Sequence, residues 1–153
     1  MLKNASAAQH TPRGDTALAT RLDSSLDTLW VSLQPVPGRP LNFSPELLAA
    51  FERLLDRIEE NRWNWQEDSR ESRLHYLVLT SSHPRHFALG GDLAYFQSCI
   101  ESGNAGALRA YSMRCLELIR RIFSAAHEVT TVSLVQGRAL GGGFETALSA
   151  SHL

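Results

Sequence analysis

The chain has 153 residues, 43% of them hydrophobic and 20% charged, with 15 basic side chains against 16 acidic ones. A domain of about 150 residues buries roughly two thirds of its unfolded surface, so this is one domain or part of one. The net charge of -1 speaks against a nucleic-acid binder, which carries a basic face, and no apolar run approaches the ~20 residues that span a bilayer.

Met1 to Thr16 are polar and small and lack the apolar stretch of a secretory signal. They read as a disordered tail on a cytoplasmic protein, leaving 17–153 as the domain. Thr28 to Leu33 (TLWVSL) is β-branched and aromatic and predicts a strand. Ala17 to Leu22 is a weaker strand placed to pair with it. Pro35, Pro37, Gly38 and Pro40 make 34–42 a loop.

A helix follows. Ser44 is a candidate N-cap and Pro45 fits the first helical position, where a missing N–H costs nothing. Leu47, Leu48, Phe51, Leu54, Leu55 and Ile58 recur at helical spacing, opposite a charged face. Asn61 to Arg73 reads as an exposed connection whose Trp63 and Trp65 cover neighbouring apolar surface.

Leu74 to Thr80 (LHYLVLT) predicts a strand buried on both faces, with His75 as a core or edge residue. Ser81 to Gly91 reads as a loop. His83 and His86 in it have H-x-x-H spacing but no third ligand, so no metal site is expected. From Asp92, a natural N-cap, Leu93, Phe96, Gln97 and Ile100 predict a short helix. Gly103 separates it from a longer one over about 104–127, with Leu108, Tyr111, Cys115, Leu118, Ile119 and Ile122 on one stripe. Cys99 and Cys115 fit buried or half-buried thiols in a reducing compartment, since two cysteines make neither a disulfide framework nor a four-ligand zinc site. Thr131 to Val135 is a further buried strand, and Phe144 onward a last helix. Strands alternating with helices define an α/β chain.

Two segments place glycines between a strand and a helix start: Phe87-Ala88-Leu89-Gly90-Gly91-Asp92-Leu93 and Gln136-Gly137-Arg138-Ala139-Leu140-Gly141-Gly142-Gly143-Phe144-Glu145. Glycine lets a ligand approach the backbone closely, and the first N–H groups of a helix have no internal acceptor. Neither segment has the dinucleotide fingerprint, and the phosphate-loop G-K-[ST] is absent. Glu145 lies three residues after Gly142, on the same helix face. A carboxylate and a free amide facing one spot suit polarisation of a carbonyl beside a proton transfer. An early-helix acid favoured by the helix dipole is the other reading of Glu145.

Together these two segments resemble the crotonase (enoyl-CoA hydratase/isomerase) superfamily. The resemblance covers about 17–153 and implies a ββα spiral core. It also implies an oxyanion hole from the Gly91 and Gly142 amides, Glu145 as a catalytic acid/base, and substrate contacts at Leu89, Gly90 and Gly141. The Leu89 backbone falls where hydratases contact the adenine of CoA. The substrate is then an acyl-CoA or acyl carrier protein thioester, with no other cofactor and no metal.

Within the superfamily, Leu89 to Phe96, Leu134 to Gly137 and Gly143 to Ser149 are most similar to bacterial diffusible signal factor (DSF) synthases. Glu128-Val129 and Gln136 stand where ordinary hydratases have Lys-Pro and Asn. That likeness implies dehydration of a 3-hydroxyacyl-carrier thioester to a cis-2-enoyl chain, and hydrolysis to a fatty-acid signal in quorum sensing. It also implies association with the receiver domain of a sensor kinase. An enoyl-CoA hydratase or isomerase, or a non-catalytic interaction module on the same scaffold, are the alternatives. The family domain is longer and carries a second glutamate further on. The resemblance therefore implies the N-terminal half of an enzyme, inactive alone and a trimer-type homo-oligomer when full length.

Overall fold

The computed structural model describes residues 17–67 and 70–153; the expected tail, 1–16, lies outside the described residues. Strands β1 (Leu18–Asp23) and β2 (Thr28–Leu33) pair antiparallel, Leu18 opposite Leu33 and Asp23 opposite Thr28. The weaker expected strand is therefore present. Leu29, Val31 and Leu33 alternate inward and are essentially inaccessible, the period-2 pattern of a strand with one face on a core.

Helix α1 (Pro45–Glu60) begins where its cap signals place it. Ser44 Oγ accepts from the Leu47 N–H at 3.2 Å, satisfying one of the amides a helix start leaves open. Its apolar face packs Leu47, Leu48, Phe51, Leu54, Leu55 and Ile58 into the core.

The segment after α1 corrects the expected connection. Asn64–Glu67 (β3) and Arg70–Arg73 (β4) form an antiparallel hairpin, Asn64 opposite Arg73 and Glu67 opposite Arg70. Arg70, Glu71 and Arg73 face solvent, Glu67 accepts from the Leu22 N–H at 2.8 Å, and Trp63 and Trp65 are buried in the core cluster. The Arg57 guanidinium lies 3.9 Å from the Trp65 ring centroid and donates to the Gln66 carbonyl at 3.0 Å. Cation–π contact and hydrogen bonding to the backbone thus fasten the hairpin to α1. Four-residue strands, one with a single tryptophan and the other entirely polar, are too short to betray themselves by periodicity.

Strand β5 (Tyr76–Ser81) pairs parallel with β2, and β7 (Thr130–Ser133) parallel with β5, giving the order β1-β2-β5-β7. Leu77, Val78 and Leu79 are buried, but Tyr76 is exposed and His75, ahead of the strand, is exposed beside Asp27. The expected burial on both faces holds for the strand's middle alone. Beyond β7, His152 makes an isolated parallel bridge with Val132.

The loop expected at 81–91 contains a short strand, β6 (His86–Ala88), which pairs parallel with β8 (Arg138–Ala139). This two-stranded unit holds the two glycine segments side by side. Helix α2 (Leu93–Glu101) follows, capped by Asp92, whose Oδ1 accepts from the Tyr95 N–H at 3.1 Å. Leu93 and Ile100 face solvent while Tyr95, Phe96 and Cys99 turn inward, so the α2 apolar residues serve two faces. Helix α3 (Ala105–Ala125) buries its expected stripe, with Tyr111, Leu118 and Ile122 fully inside. Arg114 clamps it to α1 through a bidentate pair with Glu52, at 2.6 and 2.9 Å.

Helix α4 (Gly142–Leu148) starts two residues earlier than expected, at Gly142. Gly143 thereby becomes an α4 residue packed on Ala88, where a β-carbon would lie 2.4 Å from the Ala88 carbonyl oxygen. No side chain larger than hydrogen fits that approach.

Candidate active site

One glycine of each segment, Gly91 and Gly142, faces one cavity of about 370 Å³, within the size range of small-molecule sites. Gly91, Gly142 and Glu145 all line it, with Phe43, Phe96 and Cys115 among the other walls. The residues singled out for an oxyanion hole and an acid/base are therefore neighbours across one space. A β-carbon built on Gly142 would stand 4.0 Å from the Gly91 nitrogen. The two segments touch here, although 51 positions separate these glycines in the sequence.

The orientation of each amide follows from its own peptide unit. In a trans peptide the C=O and N–H point in opposite directions. The Gly90 carbonyl, in one unit with the Gly91 N–H, accepts from the Phe43 N–H at 2.8 Å. The Gly141 carbonyl, in one unit with the Gly142 N–H, accepts from the Phe144 and Glu145 N–H groups at 2.9 and 3.0 Å. Both carbonyls are thus held by the protein, and their amides are turned away from those bonds. Neither the Gly91 nor the Gly142 N–H has an acceptor among the described residues. Free amides on fixed peptide units can donate to a developing oxyanion without reorganising.

The approach needs glycine at Gly90. Its φ is +89°, and a β-carbon there would come within 2.8 Å of the Leu140 carbonyl oxygen. Gly142, by contrast, has room for a β-carbon at ordinary contact distance; its glycine leaves the space above the amide open.

Glu145 sits in the first turn of α4, exposed, and its carboxylate has no hydrogen-bond or ion-pair partner among the described residues. Cys115, on α3, faces the same cavity half-buried. Burial pushes its thiol up; the Tyr111 hydrogen bond and Arg114 charge oppose this, and the Glu145 charge reinforces it. Burial likewise drives the Tyr111 hydroxyl well above the ordinary phenol range.

The structure does not bring the residues read as further substrate contacts into this cavity. Leu89, Gly90 and Gly141 do not line the cavity. Leu89 donates its N–H to the Leu41 carbonyl at 2.8 Å, and its own carbonyl has no backbone partner among the described residues. His83 and His86 stack at 4.4 Å, and His83 Nδ1 accepts from the Arg85 and His86 amides, each at 3.1 Å. That ring nitrogen is occupied in shaping the turn. Asp92 is the helix cap described above rather than a cavity residue.

Sequence reasoning assigned Tyr111 and Cys115 to the core stripe and did not single out Phe43 or Phe96. The polar members of an otherwise apolar α3 stripe, Tyr111 and Cys115 one turn apart, were the available signal. Phe43 carried none, because its part is played largely by backbone atoms.

The fold is a crotonase-like α/β arrangement: a mixed sheet with flanking helices, and two glycine segments held side by side by β6 and β8. Among solved structures, the chain is similar to an enoyl-CoA hydratase from Bacillus halodurans, with a TM-score of 0.69 and 23% identity over 88% of this chain and 48% of that one. It is also similar to a putative enoyl-CoA hydratase from Streptomyces coelicolor A3(2), with a TM-score of 0.71 and 18% identity over 98% of this chain and 49% of that one. DspI from Pseudomonas aeruginosa matches with a TM-score of 0.69 and 19% identity over 96% of this chain and 50% of that one. The chain spans about half the length of these solved structures. No protein-family model and no curated protein matches it. No helix among the described residues is long and apolar enough to cross a membrane.

Proposed function

We propose that this chain carries the oxyanion-hole half of a crotonase-superfamily enzyme acting on an acyl thioester. The observation that carries this reading is the pair of unpartnered amides, Gly91 and Gly142, lining one cavity with the unpaired carboxylate of Glu145. A thioester carbonyl oxygen seated between the amides places its α-carbon beside that wall. Glu145 takes the α-proton, the C–H electron pair moves into the carbon–carbon bond, and charge gathers on the oxygen as an enolate. Return of a proton to carbon completes an exchange. Dehydration adds protonation of the β-hydroxyl, which leaves as water with the C–O electron pair while the enolate pair forms the α,β double bond; hydration is the reverse, and isomerisation moves a proton between the α- and γ-carbons, each a duty for a second acid or base.

Enoyl-CoA hydratase or isomerase chemistry is the reading the comparisons favour, since the hydratases among the similar structures share this fold. A narrower reading, release of a cis-2-enoyl acid from a carrier-protein thioester, is supported by Gln136 and Glu128-Val129 at positions where hydratases carry Asn and Lys-Pro.

Enolisation is a half-reaction that needs one base and one oxyanion hole and not the second acid that full turnover requires, so it tests the site directly even where the chain alone gives no turnover. The chain is incubated with butyryl-CoA in D2O, and deuterium in the acyl group is followed by mass spectrometry. Exchange above the protein-free rate is expected for the wild type and loss of it for Glu145→Gln. Background exchange in the wild type refutes the assignment. Where turnover is obtained, a 3-hydroxyacyl-CoA product marks the hydratase, and free cis-2-unsaturated acid marks the narrower reading.

A further inference from the structure

Tyr111 places one buried hydroxyl between two backbone groups of different segments. Its Oη donates to the Phe43 carbonyl at 2.6 Å and accepts from the Asp92 N–H at 3.0 Å. The Asp92 N–H belongs to the peptide unit that follows Gly91. The unit that precedes Gly91 is held by the Phe43 N–H on the Gly90 carbonyl at 2.8 Å. Both peptide units around Gly91 are therefore tied to one residue, Phe43: directly on one side, through the Tyr111 oxygen on the other. The Tyr111 ring is fixed in turn by the edge of Phe96 at 5.1 Å and by Tyr95 at 5.4 Å.

We propose that Tyr111 is a positioning residue that aims the Gly91 amide into the cavity, so that the amide meets a thioester carbonyl oxygen already oriented. The inference rests on the acyl-thioester reading of the cavity. Its physical content is that Gly90-Gly91 is the most permissive dipeptide a chain can hold. Its amide direction must be imposed from outside, and a displacement of ~1 Å at such a donor costs about 10²-fold in rate. A hydroxyl is suited to the task because it donates and accepts through one atom.

Tyr111→Phe removes that atom and keeps the ring. The probe is dimethylaminocinnamoyl-CoA, whose conjugated carbonyl absorbs at longer wavelength when it accepts strong hydrogen bonds. Wild type is expected to shift the bound probe to the red. The variant is expected to lose most of that shift and to bind about 10-fold more weakly. A residue that merely supports the fold would lower the melting temperature and the bound fraction, leaving the spectrum of the bound fraction unchanged. A full red shift in Tyr111→Phe overturns the role of Tyr111 and leaves the cavity reading standing. No shift in the wild type overturns the cavity reading, and the role with it. Should the variant not fold, amide hydrogen exchange in the wild type decides: Asp92 is expected to be protected and Gly91 open, and a fast-exchanging Asp92 amide overturns the clamp.

Discussion

Replacing Gly143 by alanine tests whether the two glycine segments are pressed together as described. The added methyl would lie 2.4 Å from the Ala88 carbonyl oxygen, 2.8 Å from its carbon and 2.9 Å from its β-carbon. Two of these are backbone atoms, so no side chain can swing away. Relief requires α4 to withdraw from β6, which strains the Leu140 N–H bond to the Ala88 carbonyl, now 3.0 Å. Overpacking of this kind costs about 1–3 kcal/mol, and the weakened hydrogen bond adds about 1 kcal/mol. Alanine returns up to about 1 kcal/mol of helix propensity. The net loss is about 1–3 kcal/mol, or roughly 3–10 °C in melting temperature for a chain of this size. The control is Gly142→Ala, one residue earlier, whose methyl would meet only Gly90 and Gly91 atoms at 3.9 and 4.0 Å. Its stability is expected within about 0.5 kcal/mol of the wild type. Urea unfolding followed by far-UV circular dichroism measures both. Equal stability of the two variants would refute the packing of α4 on β6, and with it the meeting of the Gly91 and Gly142 amides.

Ser44→Ala removes the α1 cap and is expected to cost about 1 kcal/mol by urea unfolding; a change near zero would mean the Leu47 amide is satisfied by solvent instead. Phe87→Ala empties a fully buried site and is expected to cost about 3–5 kcal/mol, enough to abolish the cooperative transition in a marginal domain. Alkylation of Cys115 by iodoacetamide, read by peptide mass spectrometry across pH, is expected to inflect above the pH of a free thiol, because burial holds the proton on. By the same sign, the folded chain carries no penalty from this thiol at low pH and loses stability as pH rises past the point where the unfolded thiol ionises. Glu145→Gln should lower the inflection, and an unchanged inflection would separate Glu145 from Cys115.

Element positions were legible where one local signal was strong. Ser44-Pro45 set the start of α1, Asp92 that of α2, and the α3 stripe followed its heptad-like spacing. The β3–β4 hairpin was not legible, because its stability comes from Trp63 and Trp65 reaching the core and from Arg57 lying over an indole, which are tertiary facts. Strand β6 was missed for a related reason: three residues, His86 to Ala88, become a strand only because β8 runs beside them. At the site, the two glycine segments and the Gly142–Glu145 spacing stood out locally, because glycines between a strand and a helix start leave amides open; the resemblance to the crotonase superfamily then pointed to Gly91, Gly142 and Glu145 within them. Of the groups that hold the Gly91 peptide units, Phe43 was invisible because it acts through its backbone, and Tyr111 showed only as one hydroxyl inside an apolar stripe.

The three cavity features have separate origins in the chain, and that separation explains why glycine recurs. An oxyanion site made from backbone amides needs two peptide units whose carbonyls are satisfied elsewhere. At Gly142 the helix supplies this by itself, since the Gly141 carbonyl starts the α4 hydrogen-bond ladder. At Gly91 α2 cannot do so, because its first turn begins after Asp92 and leaves the Gly90 carbonyl outside the ladder. The loop before α1 makes up the difference by passing close enough for Phe43 to accept the task. That close passage leaves the Phe43 carbonyl needing a donor, which the Tyr111 hydroxyl provides. Each satisfied group thus creates the need met by the next, from α1's entry to the middle of α3, and the amide left over at the end of that chain of partners is Gly91.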